Sequence, residues 1–197
     1  MDLDTFDLTK IDNVVINIIG KRASGKTTLI NEILKIHDVK KQAIIMCNIC
    51  DNYNYNKINF GFNKQKLSLL YNQQKEDNTE KSVVVLDNVI NNLNKNYIEE
   101  LHYNSRHYNI LSINSYTECW NVAFKQQAEY IFVYKTNDYT EKQKLYNHYF
   151  YKFFIEYRNF DNVFSSLNPY ECLVIKNSSN NCLYRYKVKT NITDCIR

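Results

Sequence analysis

The sequence predicts an α/β fold: a three-layer sandwich with a mainly parallel central sheet and a C-terminal β-hairpin. Three observations carry this. Five short apolar runs, at 14–19, 43–47, 83–86, 110–113 and 130–134, are nearly continuous and rich in β-branched residues, the pattern of strands buried on both faces. The segments between them are long enough for crossover helices, and βαβ alternation of this kind covers both faces of a parallel sheet. Near the end, runs at 171–175 and 182–188 flank the turn-forming stretch 177–181 (NSSNN), which reads as a hairpin added to the sheet edge.

The elements between the strands follow in order. Over 28–36, Leu29, Ile30, Ile33 and Leu34 fall on one helical face. Residues 51–81 are polar and Asn-rich, with apolar Leu67, Leu69 and Leu70; a short helix within a long loop is the expectation. Residues 97–103 carry Ile98 and Leu101 at helical spacing. Asp138, with Glu141 three residues later, resembles a capping box for a helix running to about residue 154.

The chain has 197 residues, which suits one domain spanning 1–197, with a core at about 13–156 and the hairpin at about 170–189. Hydrophobic residues are 44% and charged residues 23%, enough apolar surface to bury a core. The net charge is +4, from 25 Lys+Arg against 21 Asp+Glu. That balance permits contact with nucleic acid without arguing for it, since a dedicated binder shows a larger or clustered excess. Three Gly and one Pro exclude collagen-like and linker classes. The abundance of Asn, Tyr and Lys follows A/T-rich codons and needs no functional account.

The first ten residues hold no basic stretch before an apolar run, so no secretion signal is expected. No apolar run approaches the roughly 18 residues of a membrane span. Six Cys are scattered, as expected of reduced thiols. Cys47 and Cys50 form a CxxC pair, but Cys119, Cys172, Cys182 and Cys195 offer no second close pair, so ordinary thiols are expected rather than a zinc site.

Residues 20–27 read Gly20-Lys21-Arg22-Ala23-Ser24-Gly25-Lys26-Thr27, the G-x-x-x-x-G-K-[ST] pattern of a phosphate-binding P-loop. An apolar strand precedes it and an amphipathic helix follows through Thr28. The chemistry explains the spacing. Glycines let the backbone wrap closely around phosphates; successive N–H groups and the helix N-terminus hold anionic oxygens. Lys26 then reaches the β- and γ-phosphates, and the Thr27 hydroxyl binds Mg²⁺. The expected ligands are therefore ATP and Mg²⁺, and the fold is that of a P-loop NTPase.

Such an enzyme also needs an acid at the end of an apolar strand to position the metal. Residues 82–87 (SVVVLD) supply Asp87. Many ATPases follow this acid with a Glu or a second Asp that activates the attacking water; here the next residue is Asn88. An amide orients a water but cannot take its proton. Either another acid serves, with Glu99, Glu100 and Glu118 as candidates by chain position, or hydrolysis is slow, or nucleotide is bound without efficient turnover.

The P-loop GKRASGKT, the strand VVVLDN, and then NSRHYNILSIN followed by QQAEYIFVYK together resemble a viral genome-packaging ATPase of the poxvirus and giant-virus type, within the FtsK/HerA superfamily. The resemblance covers about 13–150. It implies a homo-oligomeric ring that drives double-stranded DNA into a capsid, with capsid vertex proteins as partners and the host cytoplasm or the virion as location. It implies a further parallel strand between the P-loop strand and the Asp87 strand. Arg106 resembles the family arginine before the fourth strand. It acts as an arginine finger on a neighbouring subunit's γ-phosphate, or it is a solvated cation at a helix C-terminus. Arg22 either works similarly in cis or faces solvent. The family's polar sensor, commonly Gln, is nearest to Asn114 here. Asn88 and Asn114 are both departures, and both bear on catalysis more than on nucleotide binding.

Two other readings stay open. One is a nucleotide-binding P-loop protein with weak or no hydrolysis. The other is a P-loop small-molecule kinase, although no Arg cluster offers a lid. No Asn-Lys-x-Asp motif supports a GTPase. For DNA contacts, 52–66 mixes Tyr53, Tyr55, Lys57, Lys64 and Lys66, which is either a phosphate-contacting segment or a compositionally biased surface loop. Trp120 and the Tyr-rich stretch 146–157 read as packing aromatics.

Overall fold

The computed structural model describes residues 3–37, 43–48, 53, 58–89, 95–117 and 128–189. Its elements are β1 (Val15–Ile19), α1 (Lys26–Ile36), β2 (Ala43–Cys47), β3 (Ile58–Phe60), α2 (Lys64–Glu76), β4 (Ser82–Asp87), α3 (Lys95–His107), β5 (Ile110–Tyr116), β6 (Tyr130–Tyr134), α4 (Tyr139–Leu145), α5 (Tyr157–Ser165), β7 (Glu171–Lys176) and β8 (Cys182–Lys187).

One eight-stranded sheet runs β3-β2-β4-β5-β1-β6-β7-β8. Every pairing from β3 to β6 is parallel; β7 and β8 add antiparallel at the β6 side. The predicted α/β sandwich with its C-terminal hairpin is therefore the observed fold. β5 lies between β1 and β4, parallel to both, so the P-loop strand and the Asp87 strand are not direct neighbours.

Alternation along the strands sorts the core into two layers. Ile16 and Ile18 of β1, Val83 and Val85 of β4, and Leu111 and Ile113 of β5 pack with Leu29, Ile30, Ile33 and Leu34 of α1. All four α1 residues are essentially fully buried, and each contributes roughly 1.5–3 kcal/mol as an upper estimate. On the other face, Val15, Val84, Leu86 and Ile110 pack with Leu67, Leu70 and Tyr71 of α2 and with Phe160 and Phe164 of α5. The N-terminal segment closes the far edge: Phe6 N–H donates to the Arg185 carbonyl at 2.7 Å, and its ring meets Tyr130, Phe132 and Tyr184.

Four local readings change. The segment predicted as a loop with a short helix holds β3 and the 13-residue α2. Its buried positions are Leu67, Leu70, Tyr71 and Gln74, an i, i+3, i+4, i+7 stripe obscured because one member is polar, while Leu69 is 61% exposed. Asn63 starts this helix by accepting from Lys66 N–H at 3.0 Å. The helix begun at Asp138 ends at Leu145 and passes into a π-turn, Tyr146–Phe150. There Phe150 stacks on Phe160 with centroids 4.8 Å apart, so aromatic packing sets the ending that capping cannot specify. Asp138 caps as expected, accepting from Glu141 N–H at 2.9 Å. Glu141, however, accepts from the Thr136 hydroxyl at 2.8 Å rather than closing the box. α1 begins at Lys26, two residues earlier than predicted, because the loop feeds directly into the helix.

Candidate nucleotide site

The carboxyl ends of parallel strands form the ligand crevice of an open α/β sheet. Here β1 ends at Ile19, and the P-loop turns through Ala23 (φ 62°) and Gly25 (φ 105°) into α1. Two aromatic rings support this loop from beneath. A Cβ on Gly25 would lie 2.8 Å from Tyr170 Cδ1, and one on Gly20 would lie 2.8 Å from Tyr134 Cβ and 2.6 Å from Ser24 Oγ. The Tyr134 hydroxyl donates to the Gly25 carbonyl at 3.1 Å. Both glycines are thus required by the protein's own packing as well as by any phosphate. Tyr170, at the start of the hairpin, itself holds φ 62°.

Lys26 is buried, and its Nζ donates to the carbonyls of Gly20 at 2.6 Å and Lys21 at 2.8 Å. Burial pushes its ammonium below the usual lysine range, with the Asp87 charge partly opposing the shift. Lys21 and Arg22 are exposed at the loop's outer side, and Lys21 pairs with Glu141 at 3.5 Å. Ser24 Oγ is buried with no hydrogen-bond partner among the described residues.

Asp87 ends β4. Its Oδ2 accepts from the Thr27 hydroxyl at 3.3 Å and from the Tyr53 hydroxyl at 2.7 Å. Its Oδ1 accepts from Ser115 Oγ of β5, the residue registered opposite it. Tyr53 is only 5% exposed. Burial first, and then the charge and hydrogen bond of Asp87, push its phenol far above the ordinary tyrosine range, while a hydrogen bond with Thr27 acts in the opposite sense.

In the sequence Tyr53 falls in a stretch that reads either as a phosphate-contacting segment or as a surface loop, and Ser115 carries no assigned role. Nothing local marks either. Tyr53 follows β2, and only the β2–β4 pairing brings it over Asp87. In that same stretch Tyr55 and Lys57 lie outside the described residues, and Lys66 Nζ bonds Asn59.

Asn88 holds φ 59°, a left-handed conformation that Asn tolerates better than most residues. Its N–H donates to the Ser115 carbonyl at 3.2 Å, its carbonyl accepts from Asn48 Nδ2 at 2.9 Å, and its Oδ1 accepts from the Thr117 hydroxyl at 3.4 Å. Asn114 alternates with Ser115 and points to the opposite face of the sheet. There it is fully buried, with Nδ2 3.0 Å from His102 Nε2 and 3.3 Å from Asn17 Oδ1. The β5 side chain beside Asp87 is Ser115.

Arg106 lies at the C-terminal end of α3, near the amino end of β5 and so at the opposite end of the sheet from the P-loop. It pairs with Glu129 at 3.8 Å, with both side chains substantially exposed. Glu99 and Glu100 are on α3, which precedes β5; Glu118 lies outside the described residues, as do Trp120, Cys50, Cys119 and Cys195. Among the described residues no cluster of three or more His, Cys, Asp or Glu side chains could hold a metal, and no helix is long and apolar enough to cross a membrane.

The residues present fit a bound nucleoside triphosphate with Mg²⁺. The loop turns through Ala23 and Gly25 into the N-terminus of α1, where free backbone amides can hold an anion, Ser24 Oγ has no partner among the described residues, and Lys26 and Thr27 both lie beside Asp87. A strand-loop-helix of this form with an acid two strands away defines a P-loop NTPase. The chain belongs to the AAA domain family, whose pattern it matches over residues 12–120. No curated protein matches it.

Among solved structures it is similar to the genome packaging NTPase B204 from Sulfolobus turreted icosahedral virus 2 in complex with ATP-gammaS, with TM-score 0.66 and 16% identity over 90% of this chain and 100% of that one. It is similar to B204, the DNA-packaging ATPase from Sulfolobus turreted icosahedral virus, with TM-score 0.64 and 20% identity over 88% and 97%. It is also similar to EssC (ATPases 2 and 3) from Geobacillus thermodenitrificans, with TM-score 0.62 and 12% identity over 91% of this chain and 40% of that one.

Proposed function

We propose that this chain is an ATP-driven motor that moves double-stranded viral DNA into a capsid. The observation that carries this reading is the likeness to B204 over the whole length of that chain, joined to a P-loop whose Thr27 meets the acid Asp87. The P-loop amides of residues 20–28 and Lys26 would hold the phosphates; Thr27 and Asp87 would hold Mg²⁺. Bound Mg²⁺ supplies positive charge that neutralises developing charge on the phosphate oxygens.

Lys26 would exchange its two carbonyl contacts for phosphate oxygens, its burial leaving few competing waters. Arg106, far from its own P-loop, would act only across a subunit boundary. Asn114 would act through β5 rather than at the phosphates. A homo-oligomeric ring, capsid vertex partners and a place in the host cytoplasm or the virion belong to the same reading. So does the affiliation with the FtsK/HerA superfamily.

A second reading, a nucleotide-binding component with weak turnover, is favoured by one observation: Asn88 follows Asp87 with its amide oxygen engaged by Thr117 and no carboxylate in its place. ATP hydrolysis with and without double-stranded DNA, using Lys26→Ala as the blank, separates the two. Turnover stimulated by DNA and absent in the blank supports the motor. Binding without turnover under either condition supports the second reading.

A further inference from the structure

We infer that Tyr53 is a positioning residue for the metal side of the site, fixing the Asp87 carboxylate so that one lone pair faces Thr27. This rests on the reading of Thr27 and Asp87 as the residues that would hold Mg²⁺. An ionised carboxylate has about four lone-pair sites, two on each oxygen. Ser115 takes one on Oδ1. On Oδ2, Tyr53 takes one at 2.7 Å and Thr27 takes another at the longer 3.3 Å.

Seating a cation between Thr27 and Asp87 replaces the long contact between them. The Ser115 and Tyr53 donors can stay, one on each oxygen, and together they set the carboxylate's rotation. Tyr53 suits this task because its side chain is buried, which holds the hydroxyl in place against Oδ2 at 2.7 Å. Outer-shell donors to metal ligands typically change metal affinity by about 10–100-fold when removed.

The test is calorimetric titration of a non-hydrolysable ATP analogue, in Mg²⁺ and in excess EDTA. It compares the wild-type chain with Tyr53→Phe, Asp87→Asn and the double variant, with melting temperatures recorded for each. In Tyr53→Phe the Mg²⁺-dependent gain in affinity falls by about tenfold or more, while the affinity in EDTA stays within about twofold. In the Asp87→Asn background the same substitution adds no further loss of that gain, because Tyr53 acts through Asp87.

An unchanged or larger Mg²⁺-dependent gain in Tyr53→Phe overturns the inference; a larger one identifies the hydroxyl as a competitor of the cation. A loss that appears equally in EDTA, or that persists in the Asp87→Asn background, also overturns it by making the role merely structural. A wild-type protein that binds the analogue with no Mg²⁺-dependent gain overturns both this inference and the metal reading beneath it.

Discussion

The Thr27 hydroxyl donates to Asp87 Oδ2 across 3.3 Å, joining residues 60 apart in the chain. That contact aligns the start of α1 with the end of β4, two strands away from β1, and so unites the phosphate loop with its acid. It depends on β5 as spacer, because β5 carries Ser115 to the other oxygen of the same carboxylate.

Asp87 therefore has two roles that substitution can separate. Asp87→Ala removes the acceptor of the buried Tyr53 hydroxyl, and leaving such a group unsatisfied costs about 1–3 kcal/mol. Asp87→Asn keeps one acceptor oxygen. Both variants are expected to lose Mg²⁺-dependent hydrolysis, while only Asp87→Ala shows the larger drop in melting temperature, roughly 2–4 °C for each kcal/mol at this size. Equal melting temperatures would contradict the hydrogen-bond assignment.

Lys26→Ala is expected to weaken ATP binding at least about tenfold, or about 1.4 kcal/mol, and to abolish turnover. Lys26→Met carries a further signature in pH. Because burial lowers the folded-state value below 10.5, the unfolded chain holds more protons between the two values, and stability from this group rises with pH. The cost is fully present below the folded value and gone above 10.5. Denaturant titrations from neutral to alkaline pH should show a flatter profile for Lys26→Met than for the wild type.

At Gly25 the backbone and the packing object separately to a side chain. Gly25→Ala meets both φ 105° and the Tyr170 ring at 2.8 Å, so a loss of about 1–3 kcal/mol is expected from the backbone alone. Adding Tyr170→Ala relieves the contact but not the dihedral, and should recover part of the stability. Full recovery would mean that the ring, and not the backbone, sets the requirement.

Asn88→Glu, the obvious attempt to install a base, places a carboxylate at φ 59°. The left-handed backbone penalises it by about 1–2 kcal/mol, whereas Asn88→Gly should be near neutral in stability. Thermal melts of the two variants decide this. A stable Asn88→Glu protein with faster turnover would show that the position accepts a base after all.

Arg106 pairs with Glu129 at the far end of its own sheet, so a role in hydrolysis requires a second subunit. Mixing Arg106→Ala with Lys26→Ala chains should restore part of the activity that each lacks alone, since some interfaces then join an intact loop to an intact arginine. Mixed assemblies without recovery would reduce Arg106 to a solvated helix-end cation.

The chain's own order of residues determined much of this molecule. The strands at β1, β2, β4, β5 and β6, the P-loop with its helix, the acid ending β4 and the hairpin were all legible, because each is a local pattern: a β-branched run, a fixed spacing of glycines, an amphipathic stripe. α2 was half legible, its stripe broken by the buried polar Gln74. Tertiary structure alone decided the rest. Tyr53 reaches Asp87 only because β2 pairs with β4, Ser115 faces it only through the β4–β5 register, and Asn114 turns away by strand alternation. Tyr134 and Tyr170 come under the glycines only because β6 and β7 lie beyond β1. Periodicity reports which face of an element is apolar, but the partners of that face are chosen by strand order, which no window along the chain encodes.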